Sequence, residues 1–357
     1  MTEAMVRLEG VSKHYGPVIA LAEIDLAVRK GEFMTLLGPS GSGKTTLLNL
    51  LSGTVPASAG RIIIDGRDVT DLPSSRRGLG MVFQSYALFP HMTVYENIAF
   101  PLRVRRLPEP EIRRKVAEAL DLVRLPGVAE RRPKQLSGGQ QQRIAIARCL
   151  VYGPALVLMD EPLGALDKKL REQLQLEIKR LHSTLGTTIL YVTHDQEEAL
   201  VMSDRICLMR EGRIEQLGSA SELYFRPRTV YAADFLGESN LLDAMLTETP
   251  DGIRLAAAGG IEMRLAPDQK ARPGKVKLLI RPEKLEVMEP GVSAPNMIDG
   301  VLEDVVFIGG VTNFRVRVTD DVLITAKRLT SEARLDFTAG RRIRLGWSST
   351  DAVILAA

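Results

Sequence analysis

The sequence predicts an α/β domain followed by a smaller all-β domain, and three observations carry the prediction. An apolar run at residues 33–37 leads into GPSGSGKTT at 38–46, and the chain continues as a helix-like run to Leu51. Strand, glycine-rich loop, Lys-Thr and helix is the context a phosphate-binding loop requires. Short apolar runs at 156–159 and 188–192 alternate with helical patterns, as buried strands of an open sheet do. Beyond about Phe235 helical periodicity gives way to short strands separated by Gly and Pro, the pattern of a small barrel or sandwich.

A chain of 357 residues fits about two domains. Lys and Arg exceed Asp and Glu by three, 47 against 44. That balance implies no strongly basic surface, so nucleic acid is not indicated. No apolar run approaches the ~18 residues that span a bilayer, and the amino-terminal stretch lacks a signal-peptide core. Cys149 and Cys207 are isolated and read as buried thiols of a reducing cytoplasm. His14, His91, His182 and His194 form no paired metal-ligand spacing.

Taken in order, Val6, Leu8 and Val11 read as short strands, as does the alternating stretch 20–28. Between them lies a turn, Lys13-His14-Tyr15-Gly16-Pro17. Tyr15 either packs on the surface or offers its ring face to a base. In the loop that follows β-strand 33–37, Gly38, Gly41 and Gly43 let the backbone turn its N–H groups inward. Those groups and the positive end of the next helix favour a polyphosphate. Lys44 is expected to reach the β- and γ-phosphates, and Thr45 to bind Mg²⁺. A strand at 61–64 ends in the Asp65-Gly66 turn. The strand at 80–83 ends at Gln84, either a ligand contact or a surface amide.

From Tyr86 to about Leu150 the pattern is helical, broken by Pro108, Pro110, Pro126 and Pro133 into several helices. Ile112, Val116, Leu120 and Val123 mark one buried helix face, while 103–106 reads as a solvated basic stretch. Ser137 fits the cap of a helix over 141–151, and Gly138 and Gly139 leave N–H groups uncovered there, a second anion seat. Asp160 and Glu161 end the strand 156–159. A buried strand should not end in paired acids unless they have work. In a phosphate-loop enzyme the first holds Mg²⁺ and the second polarises water. Leu170, Leu174, Ile178 and Leu181 mark an amphipathic helix ending at Gly186. His194 then follows a strand on the same edge as Lys44, Gln84, Asp160 and Glu161. Residues 205–214 read as a hairpin turning at Glu211-Gly212. Tail strands are expected at 276–280, 301–307, 313–318, 322–325, 342–345 and 352–355.

Together these motifs resemble the ATP-binding subunit of ATP-binding-cassette transporters over roughly residues 5–235. The Walker A loop is Gly38, Pro39, Ser40, Gly41, Ser42, Gly43, Lys44, Thr45 and Thr46. Gln84 of a Q-loop follows, then the signature LSGGQQQR with Ser137, Gly138, Gly139 and Gln140. The Walker B run LVLMDEP, a D-loop at 163–167 and the switch His194 complete the set. Gly164 stands where many relatives carry Ser. The resemblance implies a phosphate-loop ATPase cassette at 1–236, with a helical subdomain at about 86–150. The cofactors implied are ATP and Mg²⁺, with Thr45, Gln84 and Asp160 as metal residues. Glu161, His194, Lys44 and Gln84 are the catalytic set, and Tyr15 stacks on adenine. Two cassettes pair head to tail as a homodimer, each signature facing the partner's γ-phosphate.

Residues 237–357 resemble the β-barrel regulatory domain of import-type cassettes, an OB-like or TOBE-like fold, through Leu279-Ile280-Arg281-Pro282-Glu283, residues 309–313 and 346–355. By this likeness the chain energises import through two separate membrane permease subunits, fed by a periplasmic solute-binding protein, from the cytoplasmic face of a bacterial inner membrane. Tyr86, Leu88 and Phe89 lie where such subunits dock a permease helix; the alternative is that they pack inside. The stretches SYALFPHMTVYENIAFPL and FLGESNLL look most like the polyamine (spermidine/putrescine) branch; ferric iron, sugar, sulfate and phosphonate importers are the alternatives. A cassette ATPase that moves no solute carries two cassettes or a long coiled coil, and neither is present.

Overall fold

The computed structural model describes residues 3–356 apart from 165, 250, 251, 265–272, 290 and 332–337. It divides into two compact units, Met1–Ala220 and Ser221–Ala357. The division falls earlier than the expected 236/237.

The first unit opens with β1 (Ala4–Tyr15) and β2 (Val18–Arg29), a hairpin. The turn expected over residues 13–17 is shorter. Residues 13–15 belong to the strand, and the turn is only Gly16-Pro17, because register shifts along β1 absorb the irregular pattern without breaking it. Next come β3 (Phe33–Leu37), α1 (Lys44–Ser52), β4 (Ala59–Ile64), β5 (Arg67–Asp68) and β6 (Gly80–Val82). The helical segment holds α2 (Val94–Val104), α3 (Glu109–Leu122) and α4 (Gly138–Leu150). It starts at Val94 rather than Tyr86, and α4 starts three residues before the expected Gln141, since Ser137 caps it directly. Then follow β7 (Leu156–Asp160), α5 (Lys168–Leu185), β8 (Thr188–Thr193), α6 (Gln196–Met202), β9 (Arg205–Arg210) and β10 (Arg213–Gly218).

β2-β1-β4-β5 form an antiparallel sheet, and β10-β9-β3-β8-β7-β6 form a second in which only the β9–β10 hairpin is antiparallel. The strands of this central sheet alternate between two cores. Phe33, Val157, Met159, Ile189 and Tyr191 pack with α2 to α5 on one face. Met34, Leu36, Leu156, Leu158, Leu190 and Val192 pack with α1 and the antiparallel sheet on the other. Covering on both faces explains why these strands read as unbroken apolar runs. Parallel pairing sets Leu37 beside Thr193, Asp160 beside Val192 and Val82 beside Met159. The carboxyl ends of β3, β6, β7 and β8 therefore finish along one edge, where ligands gather in open sheets.

The second unit begins with α7 (Ala220–Phe225) and α8 (Val230–Phe235), then β11 (Asn240–Thr249), β12 (Gly252–Ala257), β13 (Ile261–Arg264) and β14 (Gly274–Ile280). It continues through β15 (Glu286–Val287), β16 (Asn296–Ile308), β17 (Val311–Thr319), β18 (Val322–Leu329), β19 (Arg342–Trp347) and β20 (Ala352–Ala356). Two five-stranded sheets, β13-β12-β11-β14-β20 and β15-β19-β16-β17-β18, share one core around Leu278, Leu302, Phe314 and Leu345. The six expected strands are present, and β11, β12, β13 and β15 are additional. The two short helices belong here because the buried Arg281 holds them. It donates to the carbonyls of Tyr224, Ala233, Gly237 and Glu238 and to Ser239 Oγ at 2.7–3.2 Å.

Candidate functional site

β3 delivers the chain into the glycine loop with Gly38 at φ 156° and Gly43 at φ 100°. A Cβ on Gly38 would overlap the Met209 carbonyl, and one on Gly43 would lie 2.8 Å from the Ala20 carbonyl oxygen, so both places need glycine. The helix that follows, α1, has no side-chain cap and no acid in its first turn. Its uncovered N–H groups and positive dipole end make an anion seat. At its other end the buried Arg77 donates to the carbonyls of Leu50 at 2.6 Å and Leu51 at 2.9 Å, a cation on the negative end.

Lys44 is buried in this seat. Its Nζ donates to the Gly38 and Pro39 carbonyls, both at 2.8 Å, and to Ser42 Oγ at 3.4 Å. Burial lowers its pKa, while Glu161 and Asp160 nearby work the other way. At Asp160 burial and the adjoining Glu161 raise the pKa, opposed by Lys44. An ammonium and two carboxylates thus share one half-dry edge. Glu161 sits at φ 41°, in the left-handed region where a non-glycine residue costs about 1–3 kcal/mol. Its N–H donates to the Val192 carbonyl at 3.0 Å, which pins it to the next strand. Its Oε1 lies 3.2 Å from His194 Nδ1, and the imidazole is 57% exposed.

The remaining expected residues fall around this group. Pro39, Ser40, Gly41 and Thr45 are exposed, Ser42 is buried, and Thr46 is half-buried. Gln84 is exposed two residues beyond β6. A Cβ on Gly164 would lie 3.8 Å from Gln84 Nε2 and 3.6 Å from the Glu161 carbonyl, so the amide overhangs the turn after the acids. Tyr15, 49% exposed, ends β1 with Lys13 Nζ 4.9 Å from its ring centre. The signature makes different contacts. Ser137 Oγ accepts the Gln140 N–H at 3.3 Å and Gln140 Oε1 accepts the Ser137 N–H at 3.0 Å, a reciprocal cap. Cβ atoms on Gly138 and Gly139 would meet Leu166, Tyr86 and Leu170. Ala165 of the D-loop lies outside the described residues. Tyr86, Leu88 and Phe89 are half-buried, the first two packed on the core.

Two arginines escaped the sequence reading. Arg148, in the last turn of α4, donates to the Ala87 carbonyl at 2.8 Å and the Tyr86 carbonyl at 3.0 Å. Arg171, in the first turn of α5, donates to the Leu166 carbonyl and to Asp195, both at 3.0 Å. Neither lies in a motif: Arg171 sits on a helix read for its apolar face, and Arg148 on one read only for its N-terminal cap. Both cysteines are buried, and burial pushes each thiol up to about 12, so they are inert.

The ABC transporter family model matches residues 21–164, and the TOBE domain model matches 278–355. The chain is 47% identical over 355 residues to the spermidine/putrescine import ATP-binding protein PotA of Acidothermus cellulolyticus, covering 96% of this chain and 91% of that one. It is 44% identical over 358 residues to the protein of the same name in Nitratidesulfovibrio vulgaris, covering 98% and 97%. Among solved structures, the dimeric post-hydrolysis state of the ATP-binding cassette MJ0796 bound to ADP and Pi matches with TM-score 0.55 at 36% identity, over 60% of this chain and 99% of that chain. The cbiO1 protein of Clostridium perfringens, part of the ABC transporter complex cbiONQ, matches with TM-score 0.58 at 30% identity, over 62% and 90%. This chain therefore belongs to the ABC transporter family, as an ATP-hydrolysing, ATP-binding subunit that carries a TOBE domain.

Proposed function

We propose that this ATPase energises polyamine import through two separate permease subunits, working as a homodimer on the cytoplasmic face of the membrane. The observation that carries the chemistry is the grouping of Lys44, Asp160, Glu161 and His194 beneath the uncapped start of α1. The polyamine reading is supported by relatives of that name over nearly the full length, tail included. No helix among the described residues is long and apolar enough to cross a membrane, which fits a subunit that recruits its permease.

In this reading Lys44 exchanges its loop carbonyls for β- and γ-phosphate oxygens, and the loop amides take up the charge that develops during transfer. Glu161 orients and polarises the attacking water, with His194 fixing the carboxylate and contacting the γ-phosphate. Among the described residues no cluster of three or more His, Cys, Asp or Glu forms a metal cage. Asp160, Thr45 and Gln84 are instead the sparse oxygen donors that suit Mg²⁺, which keeps waters and binds phosphate oxygens. Bound there, Mg²⁺ would neutralise charge on the phosphoryl group. The raised pKa of Asp160 fits a carboxylate waiting for a cation. Tyr15 offers its exposed face to the base, and Ser137, Gly138, Gly139 and Gln140 close on the triphosphate of a second copy.

Glu161→Gln should bind ATP with wild-type affinity while turnover drops by about 10²–10⁴-fold. Unchanged steady-state hydrolysis would remove Glu161 from this role. For the cargo, the chain is restored to cells that lack it but keep its permeases, and uptake of labelled spermidine and putrescine is measured. Recovery of ferric iron, sugar, sulfate or phosphonate uptake without polyamine uptake would overturn the branch assignment.

A further inference from the structure

His194 is exposed, yet its surroundings are not loose. Tyr191 Oη and Thr193 Oγ1, on the strand that leads to it, donate to Glu198 Oε2 at 2.8 and 2.7 Å. Glu198 is 2% exposed. Asp195, the next residue, donates its N–H to Thr193 Oγ1 at 3.0 Å, and its Oδ1 accepts the N–H groups of Glu197 and Glu198. The backbone on both sides of the imidazole is therefore tied to the start of α6. One side chain joins this assembly to the turn that follows the strand-end acids. Arg171 Nη2 holds the Leu166 carbonyl and Nη1 holds Asp195 Oδ2, each at 3.0 Å, and Nε lies 3.9 Å from Glu198 Oε1. That last separation is an ion pair without a hydrogen bond. A planar fork can serve divergent acceptors on two loops, which an ammonium cannot do with the same geometry.

We propose that Arg171 is a positioning residue for hydrolysis, holding the turn after Glu161 and the loop carrying His194 in one register. The inference rests on the roles assigned above to Glu161 and His194. It adds that their 3.2 Å approach depends on a guanidinium bonded to the Leu166 carbonyl and to Asp195. Arg171 also lines an open cleft of about 480 Å³ with Lys168, Glu172, Gln175, His194 and Gln196. Truncating it therefore leaves a vacancy that solvent, and a small cation, can enter.

The test is steady-state hydrolysis by the purified full chain, with nucleotide affinity read from a fluorescent ATP analogue. Arg171→Ala is expected to lower kcat about 10–100-fold, the cost of displacing a catalytic pair by a fraction of an ångström to an ångström, while KM and analogue affinity stay within twofold. Low-millimolar guanidinium should restore part of that rate, and methylammonium at equal strength should not. Arg171→Lys keeps charge and volume, guards against a misfolded alanine variant, and should fall between the two. A kcat for both variants within threefold of wild type overturns the proposal. So does a loss that takes analogue affinity with it, or one that guanidinium fails to restore. Glu161→Gln is measured alongside: full activity there would refute the site itself, whereas its inactivity beside an unimpaired Arg171→Ala would refute only Arg171.

Discussion

At the residue scale, Asp160 carries a cost that suits the Mg²⁺-holding role proposed for it. Burial and the adjoining Glu161 raise its pKa above the ordinary 3.8, so the folded chain binds that proton more tightly than the unfolded chain. Linkage gives the sign. Below the unfolded pKa both states are protonated and the site adds no penalty. As pH rises from about 3.8 through the raised folded value, the unfolded state ionises first, so folding stability falls across that window and then levels. Asparagine mimics the protonated form at every pH. In EDTA without nucleotide, Asp160→Asn should melt close to wild type near pH 4. It should melt higher at neutral pH, by the ~0.5–2 kcal/mol typical when a strained functional group is relaxed. Comparing the two proteins cancels the acids whose pKa is lowered, such as Asp68 and Asp299, which push the whole-protein profile the other way. A melting difference that is flat with pH, or a less stable variant at pH 7, would contradict the assignment. With Mg²⁺ and ATP the order should invert, because only the carboxylate gains a cation.

At the element scale, α4 fastens both of its ends. Its start is the reciprocal Ser137–Gln140 cap, and its last turn sends Arg148 to two successive carbonyls, those of Tyr86 and Ala87, whose φ values are 62° and 47°. Two adjacent non-glycine residues in the left-handed region persist only when something holds them. Arg148→Ala should cost about 2–4 kcal/mol, two charge-assisted hydrogen bonds with partial compensation by water. Faster amide exchange should be confined to residues 84–92, leaving α1 and β7 protected. Uniform loosening of the first unit, or none, would count against a local clamp. This element also marks what the sequence made readable. The phosphate loop, the strand-end acids and the Ser137 cap could be read because each is contiguous and its chemistry is local. Arg148 reaches back 61 and 62 residues, and Arg281 reaches back 42 to 57. No local pattern encodes which carbonyls such a side chain will meet. The missed strand β11 is a different case: buried Leu242, Ala244 and Leu246 do alternate with exposed or half-buried neighbours, but with an alanine and two leucines the pattern lacks the β-branched signature of a strand.

At the scale of the whole molecule, the signature is the feature a single chain leaves unused. Its glycines neighbour Leu166, Tyr86 and Leu170, whereas the phosphate loop is built from β3, α1 and the Met209 carbonyl. Solved cassettes similar to the first unit are described as dimeric. If each site takes its phosphate loop from one copy and its signature from the other, defects in the two motifs must complement. A Lys44→Ala chain and a Ser137→Arg chain are each inactive alone, since every site in either homodimer lacks one half. Mixed, they form heterodimers in which one site collects both defects and the other collects neither. Random pairing at equal concentration makes half the dimers mixed, each with one intact site of two, so activity should return to about a quarter of wild type if the sites act independently. It should vanish again on dilution below the dimer dissociation constant, as activity that needs a second copy must. The control is a chain carrying both substitutions mixed with either single variant: no pairing then yields an intact site, and the rate should stay at background. Recovery in that control would trace the activity to something other than a shared site, whereas no recovery in the first mixture, despite heterodimers detected by mass, would place the signature and the phosphate loop of each site on the same polypeptide.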